Sequence, residues 1–190
     1  MMRPLDVPGL VTAEAGAFLT ARARLVPPEL LIVEIGAFRG RSTCFLADGA
    51  KRGQGAKVLS IDPWDLAGNL PGRNGRFIAR PNQADQDEHL RACGLRDQVT
   101  SLQGFSHSVP LPAEKIGLLW IDGAHDFENV SRDVARWAPL VAPGGAMIFD
   151  DVGTWHPGVD RVVKAIRQRS AEWAPIAVGV PKPLAGFLRR

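Results

Sequence analysis

Cysteine is scarce in this chain: Cys44 and Cys93 are the only two among 190 residues. Neither has a partner at metal-type spacing, which leaves reduced structural thiols in a cytoplasmic protein as the expectation. Long apolar runs are also missing. The opening stretch, Met1 to Val11, carries Pro4, Asp6 and Pro8, and reads neither as a signal peptide nor as a membrane span. Internal repeats and low-complexity tracts are absent. So are the two commonest nucleotide signatures, G-x-G-x-x-G and G-x-x-x-x-G-K-[ST], which argues against a dinucleotide dehydrogenase and a phosphate-loop enzyme.

What is present describes an ordinary globular chain. The hydrophobic fraction is 45% and the charged fraction 23%, enough for one domain with a sizeable core over residues 1–190. Net charge is +3 with a pI near 9.2. Part of the excess lies in Arg189-Arg190 and between Arg161 and Arg169. A solvated basic face accounts for it more simply than a nucleic-acid surface.

The richest stretch is Val33-Glu34-Ile35-Gly36-Ala37-Phe38-Arg39-Gly40-Arg41-Ser42-Thr43. The apolar run Leu30 to Val33 ends in an acid and a glycine-punctuated turn, and an amphipathic segment follows from Arg41 to Lys51. The pattern predicts strand, tight loop and helix start, where glycines admit close backbone approach and free N–H groups face a ligand. A second apolar run, Val58 to Ile61, within a strand expected over Lys57 to Ile61, ends in Asp62. An acid about 20 residues past such a loop holds ribose hydroxyls in nucleoside-binding folds.

Further elements follow from periodicity and punctuation. A helix is expected over Thr12 to Leu25 with Thr12 as its cap, forming with its flanks an N-terminal helical cap, residues 1–28, beside the sheet or over its mouth. Helices are expected also at Gln83 to Cys93, Asp126 to Leu140 and Val159 to Trp173. Strands are expected at Gln98 to Leu102, Ile116 to Ile121, Gly145 to Phe149, Ile176 to Val178 and Ala185 to Leu188. Pro63 to Pro81 is rich in proline, glycine and asparagine and reads as a long loop near a ligand entrance.

The pattern E-x-G-x-x-x-G-x-S-T resembles the first motif of class I S-adenosylmethionine-dependent methyltransferases. Leu118-Leu119-Trp120-Ile121-Asp122-Gly123-Ala124-His125 resembles their fourth-strand motif, and Pro143-Gly144-Gly145 before Ala146 to Asp151 resembles the fifth. Together these blocks are similar to a subgroup of small-molecule O-methyltransferases related to the macrocin-type and cephalosporin-hydroxylase-like families. The likeness runs from about Leu30 to the C-terminus. It implies a Rossmann-like three-layer α/β sandwich with a mostly parallel seven-stranded sheet and one antiparallel strand near the C-terminus. The lid of larger relatives would be reduced to the N-terminal helix and the Pro63–Pro81 loop.

The resemblance also assigns roles. Gly36, Ala37, Phe38 and Gly40 would lie against the methionine end of S-adenosylmethionine. Glu34 would face its ammonium, and Ser42 would reach its carboxylate or cap the helix. Asp62 would take the ribose, and Gly104, Phe105 and Ser106 the adenine. Asp122, Asp150 and Asp151 would converge at the sheet edge, with Asp122 touching cofactor as well as metal. Three carboxylates so placed repel unless a cation neutralises them, and oxygen donors suit Mg²⁺. His125, three residues past Asp122, would be the base; His107 and His156 read as loop residues. The implied reaction is metal-assisted methyl transfer to a hydroxyl of a small molecule, and self-association is a further expectation. Two alternatives stand beside it: a metal-independent methyltransferase, and a non-catalytic cofactor-binding partner subunit. Arg39 and Arg41, unusual in such a loop, leave room for the second.

Overall fold

The computed structural model describes residues 1–68, 70–71, 77–78, 81–154, 156–179 and 184–190. Much of the Pro63–Pro81 loop, and Trp155, lie outside the described residues. Strand β1 is Leu31–Ile35, β2 Val58–Asp62, β3 Leu70–Pro71, β4 Phe77–Ile78, β5 Val99–Gln103, β6 Ile116–Ile121, β7 Val141–Phe149, β8 Trp173–Ile176 and β9 Ala185–Arg189. The helices are α1 Ala13–Ala23, α2 Arg41–Arg52, α3 Gln83–Ala92, α4 Phe127–Trp137 and α5 Pro157–Gln168. Strands β3 and β4 form a small antiparallel ladder within the long loop.

The main sheet has the order β5-β2-β1-β6-β7-β9-β8. Neighbours from β5 to β7 are parallel. Strand β9 is antiparallel to both β7 and β8, so it alone runs against the rest. The chain starts at the centre, builds outward to β5, then returns to place β6 on the other side of β1. In such sheets the strand-order reversal opens a crevice at the carboxyl ends of the strands. Here the crevice lies between the turns after β1 and β6.

Side chains along the central strands alternate between two cores. On one face Ile32, Val58, Leu118, Trp120 and Ile148 pack under α1, α2 and α3, with Leu19, Leu46 and Leu90 among their partners. On the other, Val33, Ile35, Leu119, Ile121 and Phe149 meet Val130, Val134 and Trp137 of α4 and Val159, Val162, Val163 and Ile166 of α5. This makes the three layers. Every residue of β6 is buried, as its unbroken apolar run requires in a central strand.

Helix α1 begins as expected, with the Thr12 hydroxyl accepting from the Ala15 N–H at 3.2 Å. It packs on α2 as part of a layer. Several boundaries differ from the sequence pattern, and the strand expected at Ile176 to Val178 lies instead at Trp173–Ile176. Helix α4 stops at Trp137, and Pro139 continues the chain as a 3₁₀ turn over Ala138–Leu140, because proline cannot donate within a helix. Helix α5 starts at Pro157, in the first-turn position proline favours, and ends at Gln168. Trp173 instead opens β8, where it is 3% exposed. Seven residues past Ile166, it keeps helical phase by accident and reaches the same core from a strand. Strand β7 also starts earlier than Gly145, at Val141, across a register shift opposite β6. Among the described residues, no helix is long and apolar enough to cross a membrane.

Gly36 has φ +91°, and a Cβ there would fall 2.2 Å from the Asp122 carbonyl oxygen. Both the left-handed backbone and the contact exclude a side chain. Gly36→Ala is expected to destabilise the chain by about 3 kcal/mol or more. Urea unfolding measures this; a loss below roughly 1 kcal/mol would show that the two turns separate at little cost.

Candidate active site

The glycine loop between β1 and α2 is held from below and from the side. Asp62, at the end of β2, is 6% exposed. Its Oδ2 accepts from the backbone N–H groups of Ala37 at 2.8 Å and Phe38 at 2.9 Å, and its Oδ1 from the N–H of Trp64 at 2.6 Å. The buried Trp64 indole donates to the Phe38 carbonyl at 2.8 Å. Phe38 and Trp64 both take positive φ, +50° and +44°, so the loop is a strained turn fixed by two neighbours on the next strand end. The Asp62 carboxylate, at the strand end where the sequence places the ribose, thus also organises the loop.

Beneath the loop lies a buried polar network. Glu34 is fully buried. Its Oε2 accepts from the hydroxyls of Thr43 at 2.5 Å and Ser60 at 2.7 Å. Gln86 of α3 donates to both of those hydroxyl oxygens, at 3.0 and 2.9 Å, and accepts from Ser101 at 2.6 Å. Glu34 Oε1 is buried without an aligned donor, although the nearby Ser42 hydroxyl favours its charged form. Burial dominates and pushes the Glu34 pKa up to about 7. The acid therefore lies under the loop among hydroxyls, tying β1, β2, α2 and α3 together.

Helix α2 begins at Gly40, whose left-handed conformation (φ +86°) provides the cap position without a side-chain cap. Ser42 is thus the second residue of the helix and 4% exposed; it is not the capping residue. The two unusual arginines have structural employment. Arg41 donates to the carbonyls of Val7 at 2.5 Å and Val11 at 3.0 Å, fastening the N-terminal segment beside the loop. Arg39 lies over the Phe38 ring at 5.7 Å, and its carbonyl meets His89 Nδ1 at 2.8 Å.

After β5, Gly104, Phe105 and Ser106 follow at the same sheet edge. The Ser106 hydroxyl donates to Asp133, and the Ser106 carbonyl accepts from the Trp137 indole at 3.1 Å. This turn is therefore anchored to α4. Asp133 is 3% exposed, and burial raises its pKa to about 6. Phe105 is exposed and stacks on His107 with centroids 5.5 Å apart.

The three acids do converge. Ligand oxygens of Asp122, Asp150 and Asp151 lie within 4.8 Å of one another. Parallel pairing of β6 with β7 brings them together, since Ile121 is in register with Phe149 and the Asp150 N–H donates to the Ile121 carbonyl at 3.1 Å. Asp150 is 3% exposed, and its Oδ1 accepts from the Asp151 N–H at 2.9 Å. Asp151 has φ +57°. His125 places Nε2 3.0 Å from Asp151 Oδ2. The structure thus gathers the glycine loop, the acids and His125 around one crevice.

Thr43, Ser60, Trp64, Gln86 and Arg41 were not identified from sequence. Gln86 left one signal: it precedes Leu90 by four residues, and so places a polar group on the buried stripe of α3.

A methyltransferase-domain family matches residues 33–152. The chain belongs to it, and with it to the class I S-adenosylmethionine-dependent methyltransferases. An uncharacterized protein of Acanthamoeba polyphaga mimivirus is 26% identical over 140 residues, 73% of this chain and 59% of that protein. The chain therefore spans 59% of the length of this curated relative. Among solved structures, the O-methyltransferase NovP superposes with a TM-score of 0.72 at 19% identity, covering 95% of this chain and 83% of NovP. The calicheamicin methyltransferase CalS11 does so with 0.69 at 16%, covering 94% and 80%. At these identities the likeness is one of fold.

The raised Glu34 pKa has a thermodynamic consequence. The native state holds this proton up to about pH 7, whereas an unfolded chain releases it near pH 4.5. Folding stability attributable to Glu34 is thus greatest below pH 4.5 and falls as pH rises through about 7. The loss is on the order of 3 kcal/mol. Glu34→Gln should flatten the stability–pH curve across this window and be the more stable form relative to wild type at pH 8 than at pH 5. Urea midpoints at the two pH values measure it; identical slopes would show that Glu34 stays ionised in the native state.

Proposed function

We propose that this chain transfers a methyl group from S-adenosylmethionine to a hydroxyl of a small molecule, with a divalent cation, Mg²⁺ by donor chemistry, at Asp122, Asp150 and Asp151. The observation that carries this is the convergence of those three carboxylates beside the glycine loop, where Gly36 touches Asp122. Residues 1–190 act as one methyltransferase unit, with 1–28 as its helical cap. NovP and CalS11 are an O-methyltransferase and a calicheamicin methyltransferase by name, which supports a small hydroxyl acceptor.

The donor set fits a hard cation: all three groups are carboxylates at one sheet edge. Such a cation, when bound, supplies Lewis acidity toward an acceptor hydroxyl. S-adenosylmethionine supplies the electrophilic methyl. This chain's part is binding, orientation and proton handling. Gly36, Ala37, Phe38 and Gly40 let the backbone approach the methionine end, in a conformation fixed beforehand by Asp62 and Trp64. Glu34 supports the loop from beneath, and Ser42 stands in the first turn of α2, where a carboxylate would meet helix N–H groups. Gly104, Phe105 and Ser106 offer an apolar edge for adenine on a turn anchored by Asp133. His125 removes the hydroxyl proton. Its Nε2 lies 3.0 Å from Asp151 Oδ2, which leaves Nδ1 to accept the new proton and Asp151 to stabilise the resulting imidazolium. Holding donor and acceptor in line supplies much of the acceleration.

One observation favours a second reading. The His125–Asp151 pair, at 3.0 Å, forms a base with its orienting carboxylate, and such a dyad works without metal.

Methyl transfer from labelled S-adenosylmethionine to catechol and sugar-diol acceptors separates the two. Asp150→Ala should abolish metal-supported turnover while leaving cofactor affinity intact, and a chelator should do the same to wild type. Undiminished activity in either case selects the metal-free dyad. His125→Ala should lower kcat by about 10²–10⁴-fold under both readings; full activity would remove His125 from the chemistry.

A further inference from the structure

A second group of donors meets at the same sheet edge with a different chemistry. His125 lies on the turn after β6, Asp151 on the turn after β7, and His156 immediately before α5. One ligand atom from each lies within 4.8 Å of the other two. The imidazoles of His125 and His156 stack, with centroids 4.1 Å apart and planes 22° from parallel. His125 Nε2 is 3.0 Å from Asp151 Oδ2 but lacks an aligned hydrogen bond. All three residues are partly exposed, while His125 Nε2 itself is shielded from solvent.

The backbone holds this group in place. A Cβ on Gly158 would fall 2.4 Å from the Phe127 nitrogen and 2.5 Å from the His125 carbonyl oxygen. Glycine there lets the first turn of α5 abut the turn that carries His125, and this contact delivers His156. The Arg161 guanidinium sits 3.9 Å over the Phe127 ring, fastening α5 to α4. Between the acid and the second histidine, the Thr154 hydroxyl donates to the Asp151 carbonyl at 2.8 Å, and the Gly153 N–H donates to Asp160 at 2.6 Å. Asp151 itself is held at positive φ, a strain that tends to be kept at working positions.

We propose that His125, Asp151 and His156 form a binding site for a borderline divalent cation of the zinc type, distinct in donor chemistry from the three-acid site and sharing Asp151 with it. Two imidazoles and one carboxylate are the donors such ions select, whereas Mg²⁺ prefers oxygen alone. With Zn–N and Zn–O bonds of about 2.0–2.2 Å, donors on one tetrahedral ion lie roughly 3.3–3.6 Å apart. The three ligand atoms, now within 4.8 Å of one another, reach that spacing by rotation of the two partly exposed imidazoles. Because Asp151 belongs to both sites, a zinc-type ion at the histidines competes with a hard cation at the acids. It also takes His125 away from proton transfer. Inhibition of Mg²⁺-supported turnover by zinc follows, and that consequence rests on the function proposed above; binding does not.

The test uses the full chain without any substrate. Co²⁺ is titrated in and its visible ligand-field bands recorded, and Zn²⁺ affinity is then measured by competition with a chromogenic chelator. We expect a single tight zinc-type ion per chain and Co²⁺ bands of low coordination number. His156→Ala and the milder His156→Gln should each weaken Zn²⁺ binding by more than about tenfold, since even outer-shell changes at metal sites cost 10–100-fold. Asp122→Asn, which removes a carboxylate of the acid site and none of the three donors proposed here, should leave Zn²⁺ binding within about threefold. Absence of stoichiometric binding overturns the proposal. So does binding that survives both His156 substitutions, or a loss in Asp122→Asn as large as theirs, which would place the ion among the three acids.

Discussion

A Cβ at position 36 would fall 2.2 Å from the carbonyl oxygen of Asp122, so β1 and β6 can end side by side only because that residue is glycine. Everything at the site depends on this contact. It sits where the strand order reverses, and it sets the backbone of the glycine loop directly against the first of the acids. The parallel register of β6 and β7 then brings Asp150 and Asp151 alongside Asp122. Glycine loop and acidic edge are thus placed by one close backbone approach and one strand pairing.

The carboxylates around this contact divide by what solvates them. Glu34 is buried among hydroxyls, and burial carries its pKa to about 7; it works as a linchpin of four elements. Asp62 accepts three backbone N–H groups and so acts on the loop itself. Asp122, Asp150 and Asp151 gather at the sheet edge, with Asp150 itself 3% exposed, where a cation can balance them. Similar side chains at successive strand ends therefore do three different jobs. The division follows from burial and from the number of N–H and O–H donors each one finds.

Much of this was legible in the chain. Apolar runs ending in acids gave β1, β2, β6 and β7 to within a few residues, and the ordered motifs gave the sheet. The convergence of the three acids followed from the adjacency of the fourth and fifth strands in the family fold. What was not legible depended on contacts distant in sequence. Trp173 keeps the helical phase of Ile166 and so reads as helix, although α5 ends at Gln168, before Arg169-Ser170-Ala171-Glu172. Gln86 reaches Thr43 and Ser60 across 43 and 26 positions, which no local pattern encodes. Arg41 looked foreign to a glycine loop because its partners, the Val7 and Val11 carbonyls, belong to the N-terminal segment. The meeting of His125 with His156 required Gly158 to bring α5 against the turn after β6.

If the loop fixed by Gly36, Asp62 and Trp64 receives S-adenosylmethionine, calorimetric titration of the purified chain with that cofactor, with and without Mg²⁺, will detect it. Binding near micromolar Kd, about −8 kcal/mol, is expected in both conditions, with Mg²⁺ altering the heat through the neighbouring acids. An absence of binding in either condition would contradict it and leave the fold without the ligand its loop implies.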